Sequence, residues 1–268
     1  MSRVVLGIEY DGSLFSGWQY QNEQRTIQDE VQKALSKVAD HQITVQCAGR
    51  TDSGVHALEQ VVHFDTDITR HLNSWVMGGN TNLPKDVRII WARQAVDDFH
   101  ARYSTIARFY RYVILNRKMK SALIPQQATW CYNFLDEVKM HKAAQALVGE
   151  HDFSSFRAQG CQSRSPNRLM HFINVYRQQE QVIIDLSANA FLHHMVRNIA
   201  GVLMDIGMDK QPVSWTQNLL DIKDRKQGGV TASPYGLYLG GVYYPEKYGI
   251  KKHSVFDLLA PDVRRFEH

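Results

Sequence analysis

Apolar and polar positions along the chain recur with two alternating periods, one of strands and one of helices. Val4 to Tyr10 is an apolar-rich run of strand length, closed by the turn residues Asp11 and Gly12. A polar loop carrying Phe15, Trp18 and Tyr20 follows. Ile27, Val31, Leu35 and Val38 then fall on one helical face, and Thr26 with Asp29 reads as a capping box that starts the helix. Ile43, Val45 and Cys47 alternate with Thr44 and Gln46, which predicts a strand, and Gln60 to Phe64 predicts another. Asn73 to Gly79 reads as a short helix, Asn80 to Pro84 as a turn and Val87 to Ala92 as a strand.

The second half opens with a strand, Arg108 to Asn116, in which Arg108, Tyr110 and Tyr112 share one face and Phe109, Arg111, Val113 and Leu115 the other. This pattern predicts one face able to bind and one partly buried. Asp136 to Glu150 reads as a helix with Val138, Ala144, Leu147 and Val148 inward, ended near Gly149. An Arg-rich loop, Arg157 to Arg168, leads to a hairpin pairing His171–Arg177 with Val182–Ser187. Ala190 to Ile206 is an apolar helix with Leu192, Val196, Ile199, Leu203 and Ile206 inward; Arg197 is a charge on a different face. A helix over Val213 to Ile222 and a strand over Gly236 to Tyr244 complete the order. Strands and helices are mixed without strict alternation, which predicts an α+β fold with largely antiparallel sheets. Two subdomains are expected, residues 1–104 and 105–268.

Composition narrows the classes. With 268 residues, 44% of them hydrophobic, the chain can bury one large core or two modest ones. No run approaches a membrane span and the start lacks the pattern of a secretory signal, so a soluble, cytoplasmic protein without membrane association is expected. Cys47, Cys131 and Cys161 are odd in number and far apart; they are expected to be reduced and mostly buried. The net charge of +4 is mild, but its distribution is uneven. Phe99 to Leu135 holds no Asp or Glu, against Arg102, Arg108, Arg111, Arg117, Lys118 and Lys120. Phe153 to Gln179 is likewise acid-free and holds Arg157, Arg164, Arg168 and Arg177. Such runs are often plain solvated faces; with Tyr103, Phe109, Tyr110, Tyr112 and Phe156 interleaved, they also fit a surface that tracks phosphates and stacks bases.

The candidate chemistry centres on Ala48 to Ala57, A-G-R-T-D-S-G-V-H-A, between two predicted strands. Asp-Ser-Gly is ordinary turn chemistry, and a surface turn explains it as well as a site does. Arg50 beside Asp52 favours the second reading, because a neighbouring guanidinium stabilises an ionised, nucleophilic carboxylate. The chain shows no phosphate loop, dinucleotide fingerprint, zinc-protease motif or nucleophile elbow. His193 and His194 are adjacent and cannot share one helical face, which argues against a metal pair. A non-catalytic RNA-binding module and a metal-dependent nuclease stay in view. The nuclease needs several carboxylates together, and Asp52 has none within six residues on either side.

The decapeptide resembles the active-site motif of the TruA family of tRNA pseudouridine(38–40) synthases. G-I-E-Y-D-G at Gly7–Gly12, G-W-Q at Gly17–Gln19, D-F-H-A-R at Asp98–Arg102, C-Q-S-R at Cys161–Arg164, H-H-M-V-R-N at His193–Asn198 and G-L-Y-L at Gly236–Leu239 resemble that family in the same order. The resemblance runs from about Val4 to about Tyr244 and leaves the last twenty or so residues unmatched. It implies two halves of shared topology joined into one continuous central sheet. The implied reaction isomerises uridine to pseudouridine at positions 38, 39 and 40 of the tRNA anticodon stem-loop, with no cofactor and no metal. Asp52 matches the nucleophile, and Arg50 the arginine that fills the gap left by the flipped-out nucleotide. Tyr110 matches the tyrosine that stacks on the uracil, Arg197 the arginine that pairs with the aspartate, and Leu237 the apolar wall under the base. Phe99, His100, Ala101, Arg102 and Tyr103, with Gly160, Cys161, Gln162, Ser163 and Arg164, match segments that touch tRNA. A homodimer in which one tRNA touches both subunits is also implied. Whether Asp52 attacks C1′, attacks C6 or acts through a glycal-like elimination stays open, as does which uridine is preferred.

Overall fold

The structure is a computed structural model that describes residues 2–250; the part of the unmatched tail from residue 251 lies outside them. Within them the chain forms two compact units, residues 2–106 with 239–250, and residues 107–238. The linear division expected at residue 104 thus differs at the far end, where the chain returns to the first unit.

In the first unit, β1 (Ser2–Tyr10) is followed by α1 (Ile27–Ala39), the short β2 (Gln46–Cys47), β3 (His56–Thr66), α2 (Leu72–Asn82) and β4 (Val87–Ala95). β1 is central and antiparallel to both β3 and β4, and β2 pairs with β3. Being central and covered, β1 buries Val4, Val5, Leu6, Gly7 and Ile8 without a break, which explains its continuous run of small and apolar residues. Its register against β3 shifts between Ile8 and Tyr10, which sets Tyr10 opposite Ala57. α1 packs on α2, and α2 on β4.

Several local expectations change here. Ile43 and Val45 are buried and Thr44 and Gln46 exposed, as their alternation predicts, but only Gln46 and Cys47 join the ladder. The helix expected to stop at Gly79 runs on through Asn82, so the turn expected from Asn80 is largely helix. Thr26 stands at the N-cap of α1 without a side-chain capping bond. The amides of Ile27 and Gln28 instead reach the carbonyls of Gly17 and Trp18, at 3.2 and 3.0 Å, and Asp29 pairs with Lys33.

The second unit holds β5 (Ala107–Asn116), β6 (Thr129–Cys131), α3 (Glu137–Ala144), β7 (Gly149–Asp152), β8 (Asn167–Gln178), β9 (Gln181–Ala188), α4 (Met195–Gly207) and α5 (Trp215–Ile222). Its sheet runs β5-β9-β8-β7, antiparallel throughout, with β6 added parallel to β5. α3 packs on β8 and against α4 and α5. β5 is buried on both faces, not on one: Tyr112 and Ile114 as well as Phe109, Arg111 and Leu115 are inaccessible. The helix expected to reach Glu150 ends at Ala144 in a short 3₁₀ turn, and Gly149, at φ +103°, turns the chain into β7. Its inward stripe is Met140, Ala143, Ala144 and Leu147, while Val138 is 71% exposed. α4 starts at Met195, five residues later than its pattern suggests, because His194 before it is left-handed. The last strand, β10 (Leu237–Tyr243), begins in the second unit, and from Leu239 on it lies beside β3 in the first.

Each unit is therefore a mostly antiparallel sheet with helices packed on it, the α+β class that the order of elements predicts. Among the described residues no helix is long and apolar enough to cross a membrane. All three cysteines are free thiols, but only Cys131 is buried; Cys47 and Cys161 are half-buried.

Candidate active site

The loop from Ala48 to Ala57 leaves β2 and enters β3, and its backbone is fixed on both sides of Asp52. Ala48 N–H donates to Val61 O at 2.8 Å, and the fully buried amide of Gln60 both accepts from Gly49 N–H and donates to Gly49 O. Thr51 is buried, its hydroxyl 2.7 Å from that of Tyr10 and its carbonyl accepting from Trp18 N–H at 3.0 Å. Beyond Asp52, the Ser53 hydroxyl and the Gly54 amide both donate to Phe15 O, and Val55 N–H closes a turn onto Asp52 O at 3.2 Å. Asp52 itself is partly exposed and Arg50 is exposed.

These anchors come from the loop between β1 and α1. Gly17 takes φ +88°, and a Cβ there would lie 2.8 Å from Thr51 O. A Cβ on Gly12 would lie 1.9 Å from Val55 O. The two glycines thus let one loop lie directly on the other. Trp18 works at both ends: its N–H holds Thr51 while its carbonyl caps α1. Tyr10, Gly12, Gly17 and Trp18 stand in the motifs Gly7–Gly12 and Gly17–Gln19, but neither they nor Gln60 were assigned a part in the site from the sequence. Two adjacent polar residues, Glu59 and Gln60, set between Leu58 and Val61 in β3 were the signal for the last.

The expected contact segment Phe99–Tyr103 divides by burial. Phe99 and Ala101 are fully buried, so any direct contact falls to His100, Arg102 and Tyr103. Arg3 donates to Phe99 O at 2.6 Å, His63 Nδ1 accepts from Ala101 N–H at 3.2 Å, and the Tyr244 hydroxyl donates to Ala101 O at 2.6 Å. Burial, with the charges of His100 and Arg3, pushes the His63 imidazole down to about 4, so it stays a neutral acceptor. His100 Nδ1 accepts from Arg102 and Tyr103 N–H, which sets the exposed rim Arg102–Tyr103.

In the second unit, β5 carries Tyr110, which is buried and meets the Phe191 ring edge-on at 4.9 Å. Arg197, half-buried in the first turn of α4, donates through Nε to Ala232 O at 2.8 Å, and Ala232 N–H returns a bond to Arg197 O at 3.1 Å. The buried Tyr112 hydroxyl donates to Ser233 O at 2.8 Å, and Val113 N–H to Gly236 O at 2.8 Å. The stretch before β10 is thereby laid between α4 and β5, which delivers Leu237, 4% exposed. Gly160, Gln162 and Arg164 are exposed on the other expected contact loop, with Cys161 and Ser163 half-buried. Burial raises the Cys161 thiol, but hydrogen bonds from the backbone of His193 and Ser163, then Arg157, bring it below its ordinary value.

Several cations expected on a phosphate-tracking surface also have partners within the protein, with carboxylates in some cases and with backbone carbonyls in others. Arg111 is buried and bidentate to Asp185, at 2.8 Å through both Nε and Nη2. Arg117 pairs with Glu180 and Arg177 with Glu137, both at 2.9 Å. Arg157 and Arg168 brace the carbonyls of their own loop. Arg102, Lys118, Lys120 and Arg164 remain as exposed members of the set.

The chain matches the sequence profile described as tRNA pseudouridine synthase over residues 7–104 and 143–245. It is 60% identical over 265 residues to the tRNA pseudouridine synthase A of Methylococcus capsulatus, covering 99% of this chain and 98% of that one. It is 52% identical to the proteins of that name from Shewanella amazonensis and Coxiella burnetii, in each case over 97% of this chain and 100% of theirs. Among solved structures, an H/ACA RNP bound to a substrate RNA containing 2′-deoxyuridine aligns at TM-score 0.36 and 11% identity, covering 75% of this chain and 44% of that one, a likeness too slight to carry an argument. On the profile match and the near full-length identities, the chain belongs to the tRNA pseudouridine synthase family.

Proposed function

We propose that this chain isomerises uridine to pseudouridine at positions 38, 39 and 40 of the tRNA anticodon stem-loop, with Asp52 as nucleophile. The observation that carries the reading is the fixed backbone on both sides of Asp52, which presents one partly exposed carboxylate from a loop unable to drift. The N1–C1′ bond breaks, the uracil turns, C5 bonds to C1′, and the C5 proton is lost as N1 gains one. Atoms and electrons balance without an oxidant or a co-reactant. Arg50 takes the place of the flipped nucleotide, Tyr110 stacks on the uracil, Leu237 walls it, and Arg197 is the counter-ion of the carboxylate. His100, Arg102 and Tyr103, together with Gly160–Arg164, hold the RNA backbone. The active species in this reading is a cytoplasmic homodimer, and sedimentation of a fully active monomer would remove that part.

The test is Asp52→Asn, assayed by release of tritium from C5-labelled uridine in tRNA beside a filter-binding titration. Asparagine keeps the size and much of the hydrogen bonding of aspartate but cannot act as an anionic nucleophile. Release should be abolished while binding, spread over many phosphate contacts, persists. Near wild-type release would sink the mechanism.

A further inference from the structure

Arg157 and Arg168 are joined through Ser163, whose carbonyl accepts from Arg157 Nη2 and whose hydroxyl accepts from Arg168 Nη2, both at 2.7 Å. Arg108 comes to the same place from β5. Its Nη1 donates to Asn189 O at 3.0 Å, and Asn189 exchanges hydrogen bonds with Leu169, the residue after Arg168. The acceptors facing Arg157 and Arg168 are neutral: the carbonyls of Cys161, Ser163, Ser165 and Asn167 and the Ser163 hydroxyl. Among the described residues no carboxylate pairs with Arg157 or Arg168. Residues 153–179 contain none, and Asp152, across the ladder from Asn167, is turned to Lys223 at 3.8 Å. Burial holds Arg168 below its ordinary value; negative charge on the nearby Cys161 sulfur works against this, and the neighbouring Arg157 and Arg108 add to it. Arg168 Nε–H is buried without an acceptor. Like charges gathered and partly desolvated in this way are stabilised by an anion, and guanidinium forks match the oxygens of a phosphate.

We propose that Arg157 and Arg168, with Arg108 beside them, form one phosphate site that takes a backbone phosphodiester of the RNA. The proposal rests on the reading of this chain as a tRNA-binding enzyme and adds to it a site that the family motifs do not mark. The exposed Gln162 and Arg164 lie on the loop that these arginines brace, so a phosphate held there places the RNA strand along that loop.

The test measures tRNA affinity by filter binding across a series of KCl concentrations for the unaltered chain, Arg168→Gln, Arg157→Gln, the double variant and Arg168→Lys. One neutralised phosphate contributes about 0.7–0.9 to the log–log slope. Arg168→Gln should flatten the slope by about that amount, Arg168→Lys should retain it, and the double variant should flatten it by little more than either single one, because the phosphate is shared. Loss of loop bracing alone would weaken binding at every salt concentration and leave the slope unchanged. If either loop variant fails to fold, Arg108→Gln, which removes the bond to Asn189 O and lies outside that loop, carries the same expectation. Thermal melting with added inorganic phosphate distinguishes the source. Protection of the unaltered chain but not of Arg168→Gln, with an invariant tRNA slope, would assign the site to free phosphate and overturn the proposal. Binding with the same slope in all variants overturns this inference alone, whereas no tRNA binding by the unaltered chain overturns the functional reading as well.

Discussion

Replacing Arg111 by methionine should damage the fold and leave the RNA surface intact. Arg111 and Asp185 are each 3% exposed at the side chain, bonded twice at 2.8 Å, with the Tyr176 hydroxyl donating to Asp185 at 2.9 Å. Burial works against the Arg111 charge, but the hydrogen-bonded Asp185 outweighs it and holds the guanidinium above its ordinary value. Two unit charges at that distance attract by about 6 kcal/mol at an effective dielectric constant of about 20. Desolvation of both offsets most of this, so the intact pair adds little net stability. Removing one partner leaves the Asp185 carboxylate buried with only the Tyr176 bond, a loss of about 3–5 kcal/mol. For a chain of this size that corresponds to a Tm lower by roughly 6–20 °C. The double variant Arg111→Met/Asp185→Leu should recover most of it, short of about 1 kcal/mol for the bond that Tyr176 loses. The assays are thermal melting and the salt dependence of tRNA binding, whose slope should match that of the unaltered chain. An unchanged Tm together with a slope flattened by about 0.7–0.9 would refute the reasoning and return Arg111 to the RNA surface.

Tyr10→Phe removes the hydroxyl 2.7 Å from Thr51 and should lower stability by about 1 kcal/mol. It should also lower kcat roughly tenfold with little change in KM, since a shift of about 1 Å at a reacting group can cost about a hundredfold; unaltered kcat would show that the hydroxyl does not position Asp52. Gly17→Ala forces a side chain into φ +88° and against Thr51 O, at a cost of about 1–3 kcal/mol from the backbone alone, and circular dichroism melts would detect it. His63 gives a pH signature. Its folded value of about 4 lies below the unfolded 6.5, so the unfolded chain binds the extra proton first. Stability should be fully present above pH 6.5 and fall by on the order of 2–3 kcal/mol toward pH 4, and urea melts of His63→Gln should show a shallower fall.

What the sequence by itself determined is local in origin. Apolar periodicity placed β1, α1, β3, β5, the β8–β9 hairpin and the end of α4 to within a few residues, because which face a residue presents depends only on its near neighbours. The motif around Asp52 was legible for the same reason, being contiguous. Tertiary structure decided what the separated residues do. Thr26 lost its predicted capping role because carbonyls of Gly17 and Trp18, from the loop before it, reached the helix amides. Arg111 and Arg177 read as surface cations in acid-free stretches, yet their carboxylates lie 74 and 40 residues away, and no local pattern can reveal a partner at that separation. Gln60 became a clamp on Gly49 only once β2 and β3 lay side by side. An ionisable or polar side chain takes its role from whichever group it meets when desolvated, and that meeting is made by the fold and not by the order of residues along the chain.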